Sequence, residues 1–307
     1  MKKIITTALC CISILLALKL SAQELPLGTQ PIKYNGGFAG ETGNLRMNFG
    51  SGLTTSSITL NNVNAITVDG FIPKIRTGVG VSTGYGHSKH NFNAIQINGA
   101  LAENEMNDKV TFITFAISPK LSFRGKYTFA PFFDYSYTNF NSNTKWGFLD
   151  SVETFRNNTS SWSAKGRAGF LFNTRKLYVG ITFDIFNASK RFGNRYSIFT
   201  TNDFTTSYFL LGYSFQKSLE SKFSVTPQLV LGFRKFPGSK PEILLEDFSL
   251  MFKYKKVIWG LNNSGVAIGF QSRKYKILLS QFYNSGYYGS LTLRYIFKNN
   301  SKSLLNY

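Results

Sequence analysis

The two histidines of the chain are the side chains best suited to metal or acid–base chemistry. His87 and His90 stand in the sequence "HSKH". A spacing of three puts two side chains on opposite faces of a strand, so the pair does not form a chelate there. We expect both histidines to be exposed turn residues, and the sequence predicts no metal site.

Other catalytic patterns are weak. "GVGVSTGYG" (78–86) fits neither G-x-G-x-x-G nor a phosphate-binding P-loop, because Thr83 stands where the third glycine belongs and no Lys-Ser/Thr follows. Residues 80–84 of the same stretch have the letters G-x-S-x-G of a nucleophile elbow, but glycines in an alternating strand segment more simply allow bending and close packing. We therefore predict no enzyme and no cofactor. A Ser–His hydrolase within a barrel is the alternative that this leaves open.

Basic side chains recur opposite the apolar positions of several alternating segments. Asp184 is among the few acids in the same pattern. If the apolar positions face lipid, these cations face a lumen that favours anions or holds an acidic plug or peptide. The alternative is that they sit at the rims and face water. The six residues of this candidate basic lumen are Lys165, Arg167, Arg234, Arg273, Lys276 and Arg294.

The segments that would carry these residues alternate with a period of two. In "KLYVGITFDIF" (176–186) every odd position from Leu177 to Ile185 is large and apolar, which is long for a soluble strand. About 14 or 15 such segments, separated by turn signals, match the length that a tilted membrane strand needs. We predict an all-β fold, a transmembrane antiparallel β-barrel of about 14 strands in the outer membrane. A large soluble β-protein is the alternative.

Composition agrees with this prediction. Aromatic residues make up 16% of the chain and charged residues only 16%, well below the roughly 25% that is usual for soluble domains. The net charge is +20, which suits nucleic acid, anionic lipid or acidic polysaccharide as a partner. Outer-membrane lipid is the expected surrounding, and no nucleic-acid partner is expected.

The chain divides into four predicted parts. Residues 1–22 combine Lys2 and Lys3, an apolar run and "LSA", the pattern of a cleaved signal peptide. An N-terminal periplasmic segment (23–43), the barrel (44–298) and a C-terminal tail (299–307) follow.

Three stretches need separate comment. The polar interruptions at about 139–161 and 187–204 are typical of loops. "PEILLEDFSLMFKYKK" (241–256) fits either an amphipathic helix or a strand, and its alternating second half favours the strand.

The first residues after the signal peptide carry a family resemblance. "QELPLGTQPIKYNGGFAGETGNLRMNF" (23–49) resembles the start of the PorP/SprF family of type IX secretion membrane proteins of Bacteroidota. That family opens with an Asn-Pro-Ala-Tyr/Phe-Ala-Gly motif and a following Arg. Gly36 and Gly37 replace Pro-Ala here, and the usual Arg-x-Gln-Trp is missing. The matching residues are Asn35, Phe38, Ala39, Gly40 and Arg46.

The resemblance implies an outer-membrane barrel of the type IX secretion or gliding machinery. Its role would be to support secretion or the cell-surface anchoring of large adhesins. Its partners would be components of that machinery, with an adhesin C-terminal domain as a further candidate. A passive anion-selective porin and a barrel enzyme acting on lipid are the competing hypotheses.

Overall fold

One antiparallel sheet contains all the strands of the described chain. The computed structural model describes residues 31–41, 43–55, 59–97, 100–123, 127–148, 154–174, 176–192, 205–216, 222–235, 240, 242–262, 265–272, 275–283 and 287–297. The strands are β1 (Arg46–Thr55), β2 (Thr59–Ile72), β3 (Thr77–Ile97), β4 (Ala100–Pro119), β5 (Leu121–Phe123), β6 (Tyr127–Phe148), β7 (Thr154–Thr174), β8 (Leu177–Phe192), β9 (Thr205–Tyr213), β10 (Phe223–Lys235), β11 (Glu242–Tyr254), β12 (Val257–Asn262), β13 (Gly265–Gln271), β14 (Tyr275–Tyr283) and β15 (Tyr287–Ile296).

The sheet closes on itself. β4 pairs with β3 along one side and with β6 along the other, and β1 pairs with β15. β5 continues β4 after Lys120 and pairs with the same neighbour, β6. The 15 strands of the sheet therefore occupy 14 positions around a closed barrel. The predicted fold, a barrel of about 14 antiparallel strands, is confirmed.

Helical structure is limited to short pieces in the described chain. They are α1 (Pro31–Tyr34) and two 3₁₀ turns, η1 (Gly36–Phe38) and η2 (Pro73–Ile75). No helix in these ranges has the length and apolar character needed to cross a membrane. The segment at 241–256, for which helix and strand were both considered, is the strand β11.

The outside of the barrel carries the apolar set of the alternating pattern. On β8, Phe183 and Ile185 are 52% and 58% exposed, whereas Gly180 and Thr182 between the apolar positions are buried. On β6 the outward side chains from Tyr127 to Tyr137 are apolar or aromatic, and Phe133 near the middle is 43% exposed. This interval covers about 33 Å of strand, or about 25 Å across a membrane at a tilt of about 40°. The height matches the apolar band of outer-membrane barrels.

The polar stretch predicted as a loop at 139–161 is strand in its described residues, and the one at 187–204 is strand as far as Phe192, with 193–204 outside the described residues. β6 continues to Phe148, β7 begins at Thr154, and β8 runs on to Phe192. The loop prediction was wrong there because these strands extend past the apolar band. Beyond the band both faces of a strand meet water, so the backbone ladder continues while the apolar alternation stops. The turn predicted around His87 and His90 was wrong for the same reason, since both lie within β3.

Both ends of the barrel sequence lie at the same rim. Arg46 at the start of β1 is paired with Ile296 at the end of β15. Short connections occur at this rim, for example between Thr174 and Leu177 and between Tyr254 and Val257. Short turns are characteristic of the periplasmic side of bacterial barrels.

Candidate functional site

The segment before β1 lies inside the barrel. We call residues 31–43 the plug, of which the structure describes 31–41 and 43. Ile32, Tyr34 and Ala39 of the plug are at most 1% exposed. They pack on inward-facing apolar side chains of the wall, which are Ala116, Ala130, Leu171, Leu210 and Val230. The lumen at this level is therefore an apolar core built from two distant parts of the chain.

Two aromatic contacts add to this packing. The ring of Tyr34 meets that of Tyr208 edge-on, with centroids 5.6 Å apart. Phe38 meets Tyr178 in the same way, also at 5.6 Å. Edge-to-face pairs of this kind contribute about 1 kcal/mol beyond the area that they bury.

Asn35 ties the plug to β7 and β8. Its Nδ2 donates to the carbonyl oxygens of Phe170 (3.1 Å) and Ile181 (3.2 Å), which are paired residues of the two strands. Its Oδ1 accepts from the backbone N–H of Gly37 at 2.9 Å. Beside it the hydroxyl of Thr182 donates to the carbonyl of Tyr34 at 2.7 Å. A buried side-chain amide thus bonds to both the wall and its own turn.

Arg46 and Asp69 hold the end of the plug against β1 and β2. Arg46 Nε donates to Asp69 Oδ2 at 2.8 Å, and Nη2 donates to the carbonyl of Phe38 at 3.1 Å. Asp69 Oδ1 also accepts from the backbone N–H of Gly40 at 2.9 Å. Both charged side chains are almost fully buried.

A second polar group involves Glu41 of the plug. Glu41 accepts from Asn173 Nδ2 on β7 and lies 4.0 Å from Arg46 Nη1. Lys120 Nζ, between β4 and β5, donates to the carbonyl of Gly37. Burial raises the pKa of the Glu41 carboxyl above its ordinary 4.5, and the attraction of Arg46 and Lys120 opposes that rise only in part.

The glycines of the plug allow a close approach to the wall. Gly40 has a φ of +65°, and a Cβ there would lie 2.6 Å from the carbonyl oxygen of Gly70. Gly36 and Gly37, which replace Pro-Ala of the family motif, do not have positive φ. A Cβ on Gly37 would lie 2.5 Å from that of Leu171, so the requirement is space.

The structure brings the resemblance motif together at this site. Asn35, Phe38, Ala39, Gly40 and Arg46 are all buried, and all lie in the plug or at the first residue of β1. Sequence reasoning had assigned 23–43 to a periplasmic segment, and it missed the wall residues that hold the plug. Asp69 and Thr182 are polar residues in inward positions of strands, which is the signal that points to them.

The candidate basic lumen divides into paired and unpaired cations. Three of the cations face acids on neighbouring strands. Lys165 lies 3.6 Å from Asp184, Arg167 Nε donates to Asp134 at 2.7 Å, and Arg234 donates to Glu246 at 2.7 Å. These pairs compensate three of the charges that were expected to make the interior positive.

The other three residues of the candidate basic lumen are Lys276, Arg294 and Arg273. Lys276 and Arg294 face the interior and have no ion pair with any carboxylate of the described chain. Arg273 lies outside the described residues, as do the predicted signal peptide (1–22) and the tail (299–307).

His87, in the long hairpins, lies in a polar cleft on the outward-facing side of the barrel wall. His87 Nε2 and Asn107 Oδ1 are 2.7 Å apart, and Lys109, Asn141 and Ser160 line the same cleft of about 730 Å³. Within the described ranges no three His, Cys, Asp or Glu side chains are grouped so as to hold a metal ion.

Comparisons with known proteins give structural likeness only. No protein-family model matches the chain, and no curated protein does. The transport unit of the autotransporter AIDA-I from Escherichia coli is 10% identical, with a TM-score of 0.43, over 90% of this chain and 100% of that one. The toluene transporter TbuX from Ralstonia pickettii is 12% identical, with a TM-score of 0.48, over 85% and 91%. Similarity at these scores gives no information about function.

Proposed function

We propose that the chain is an outer-membrane barrel component of the type IX secretion and gliding machinery, and that it supports secretion or the cell-surface anchoring of large adhesins. On this proposal the barrel acts by binding protein partners. They are components of the machinery and, for anchoring, an adhesin C-terminal domain. It catalyses no reaction.

The observation that carries the proposal is the burial of the resemblance motif. Asn35 and Arg46 each make several hydrogen bonds that fix the plug to the wall. The motif residues thus share one physical task, which is to seat an N-terminal plug. That task gives a reason for their order and spacing in the sequence, and a plugged barrel suits a partner protein.

A membrane location is supported by the outer face of the barrel. The apolar band of about 25 Å matches the hydrocarbon thickness that outer-membrane barrels span. Stacked aromatic pairs lie toward its edges, including Tyr127 with Phe172 and Tyr137 with Trp162. Aromatic girdles of this kind mark the two interfaces of membrane barrels.

A passive anion-selective porin is the second candidate function. Lys276 and Arg294, the unpaired cations, favour it because they attract anions to the lumen. The plug argues against it, since Ile32, Tyr34 and Phe38 fill part of the passage with a packed apolar cluster. Paired acids also compensate Lys165, Arg167 and Arg234, which reduces the selectivity that such a pore would have.

Affinity purification from the native outer membrane tests the proposal. The tagged chain is extracted in a mild detergent, and co-purifying proteins are identified by mass spectrometry. An unrelated outer-membrane barrel carrying the same tag is the control. We expect type IX components or an adhesin to be enriched with this chain alone.

Deleting the gene supplies an independent readout. Loss of adhesins or other type IX cargo from the cell surface is expected. Normal surface display, no enrichment of partners and a stable conductance of the purified protein in planar bilayers would together favour the porin and contradict the proposal.

A further inference from the structure

Two cations face each other on the inner wall next to the plug. Lys276 of β14 and Arg294 of β15 are paired residues. Their neighbours at inward positions, Leu278 and Thr292, are 5% and 1% exposed, whereas the outward Ile277 is 40% exposed. Both long side chains therefore point into the barrel.

The adjacent strand β1 and the more distant strand β11 add further donors. Asn48 of β1 is paired with Arg294 on its other side and is 1% exposed. Lys253 of β11 lies close enough to Lys276 to repel it electrostatically. Strands β1, β11, β14 and β15 thus present three cations and an amide to one part of the lumen.

Three polar atoms of this group lack partners in the described part of the chain. Asn48 Nδ2, Arg294 Nε and Thr292 Oγ1 are buried and make no hydrogen bond there. The nearest acids are already used, because Asp69 binds Arg46 and Gly40, and Glu41 binds Asn173. Arg167 differs from Arg294, because its guanidinium donates two hydrogen bonds to Asp134.

A group of cations and unpaired hydrogen-bond donors favours the binding of an anion. Arg294 is partly buried, and its guanidinium stays protonated in proteins, so it cannot reduce the cost of this position by losing its charge. An uncompensated buried cation is strongly destabilising, and like charges beside it add to the cost. An anion with two or more oxygens accepts hydrogen bonds from a guanidinium, an ammonium and an amide at once.

We propose that Lys276, Arg294 and Asn48 form a binding site for one oxyanion, a carboxylate or a phosphate, on the lumen wall beside the Arg46–Asp69 pair. Lys253 and the Thr292 hydroxyl complete its surroundings. The site is independent of the type IX role, since it follows from the unpaired donors alone. The oxyanion is a free solute that reaches the lumen wall.

Thermal unfolding of the full-length protein in a neutral detergent tests the site. Inorganic phosphate is titrated against sodium chloride at constant ionic strength, so that general screening does not change. For a site open to free solute, the midpoint temperature rises and saturates, because phosphate binds the folded form. Lys276→Gln with Arg294→Gln should weaken phosphate binding about tenfold or more, since two charge-assisted bonds are lost.

Matched controls separate the site from general charge effects. Lys74→Gln and Lys222→Gln remove two exposed cations and should leave the phosphate response unchanged. Without phosphate the double variant should be at least as stable as the wild type, because it removes uncompensated buried charges. Heat-modifiable migration on gels confirms that each variant is a folded barrel.

A phosphate response that survives in the double variant, or no phosphate response in the wild type, overturns the proposal.

Discussion

Arg46 and Asp69 form a buried ion pair that joins the start of β1, the end of β2 and the plug. The 2.8 Å contact between Nε and Oδ2 is supported by the bonds from Arg46 to the Phe38 carbonyl and from Gly40 N–H to Asp69. The two side chains therefore satisfy each other and two backbone groups, the Phe38 carbonyl and the Gly40 N–H. Losing Arg46 leaves the Asp69 carboxylate buried without its ion pair, and losing Asp69 leaves Arg46 with only the 4.0 Å contact to Glu41.

Asp69→Asn should destabilise the folded protein strongly. The substitution keeps the size of the side chain but leaves Arg46 with only the 4.0 Å contact to Glu41, at a cost of about 3 kcal/mol in the free energy of unfolding. Urea unfolding in vesicles measures it. Glu105→Gln, which breaks the exposed pair with Lys89, is the control and should cost about 1 kcal/mol at most. Equal losses in the two variants would contradict the role given to Asp69.

Close packing of the plug on the wall depends on the absence of a side chain at Gly78. A Cβ there would lie 1.9 Å from the carbonyl oxygen of Ala39, so Gly78→Ala should push the plug out of its seat while the barrel still forms. Limited trypsin digestion should then cut after Lys33. Gly86→Ala, on the same strand and face but with all contacts at 3.8 Å or more, should stay resistant. Resistance of both variants would show that the plug accepts the extra methyl.

Plug stability should fall as the pH rises. Burial raises the Glu41 pKa above its ordinary 4.5, so between 4.5 and that raised value the folded form holds a proton that the unfolded form has lost. The stability that the bound proton of Glu41 contributes is fully present below pH 4.5. It is lost as the pH rises toward and through the raised pKa. Hydrogen exchange of residues 31–41, measured from pH 4.5 upward and corrected for intrinsic rates, should report weaker protection at higher pH.

Glu41→Gln is the matched variant for this pH dependence. Its amide oxygen still accepts from Asn173 Nδ2, but the side chain no longer titrates. The protection of the plug should then vary much less with pH. A variant that retains the full slope would assign the effect to another group.

The barrel was predictable from sequence because lipid imposes one simple pattern on every strand. Phe183 and Phe133 obey it, and so does β11, whose alternating second half favoured a strand. The long hairpins were not predictable, since residues such as Asn141 and Ser160 lie past the lipid band, where no apolar alternation is required. There the ladder with the neighbouring strand determines the structure.

The plug and its partners were harder to predict for a different reason. Asn35 bonds to Phe170 and Ile181, more than a hundred residues away, and no local pattern encodes such a contact. The pairing of Arg167 with Asp134 depends on the register of β6 against β7, which alternation alone does not give. Alternation assigns the face of a side chain, and only the fold assigns its neighbour.

The depth of the apolar band can be tested with single arginines. Phe133 lies near the middle of the band on β6, and Tyr137 lies near its edge on the same face. Phe133→Arg should lower the free energy of unfolding in vesicles by about 2–4 kcal/mol, whereas Tyr137→Arg should lower it by only about 1 kcal/mol or less, because a charge near the interface reaches water. Urea titrations of both variants in the same lipid give the two values. Equal costs would mean that this face of β6 lies against protein or water at both depths.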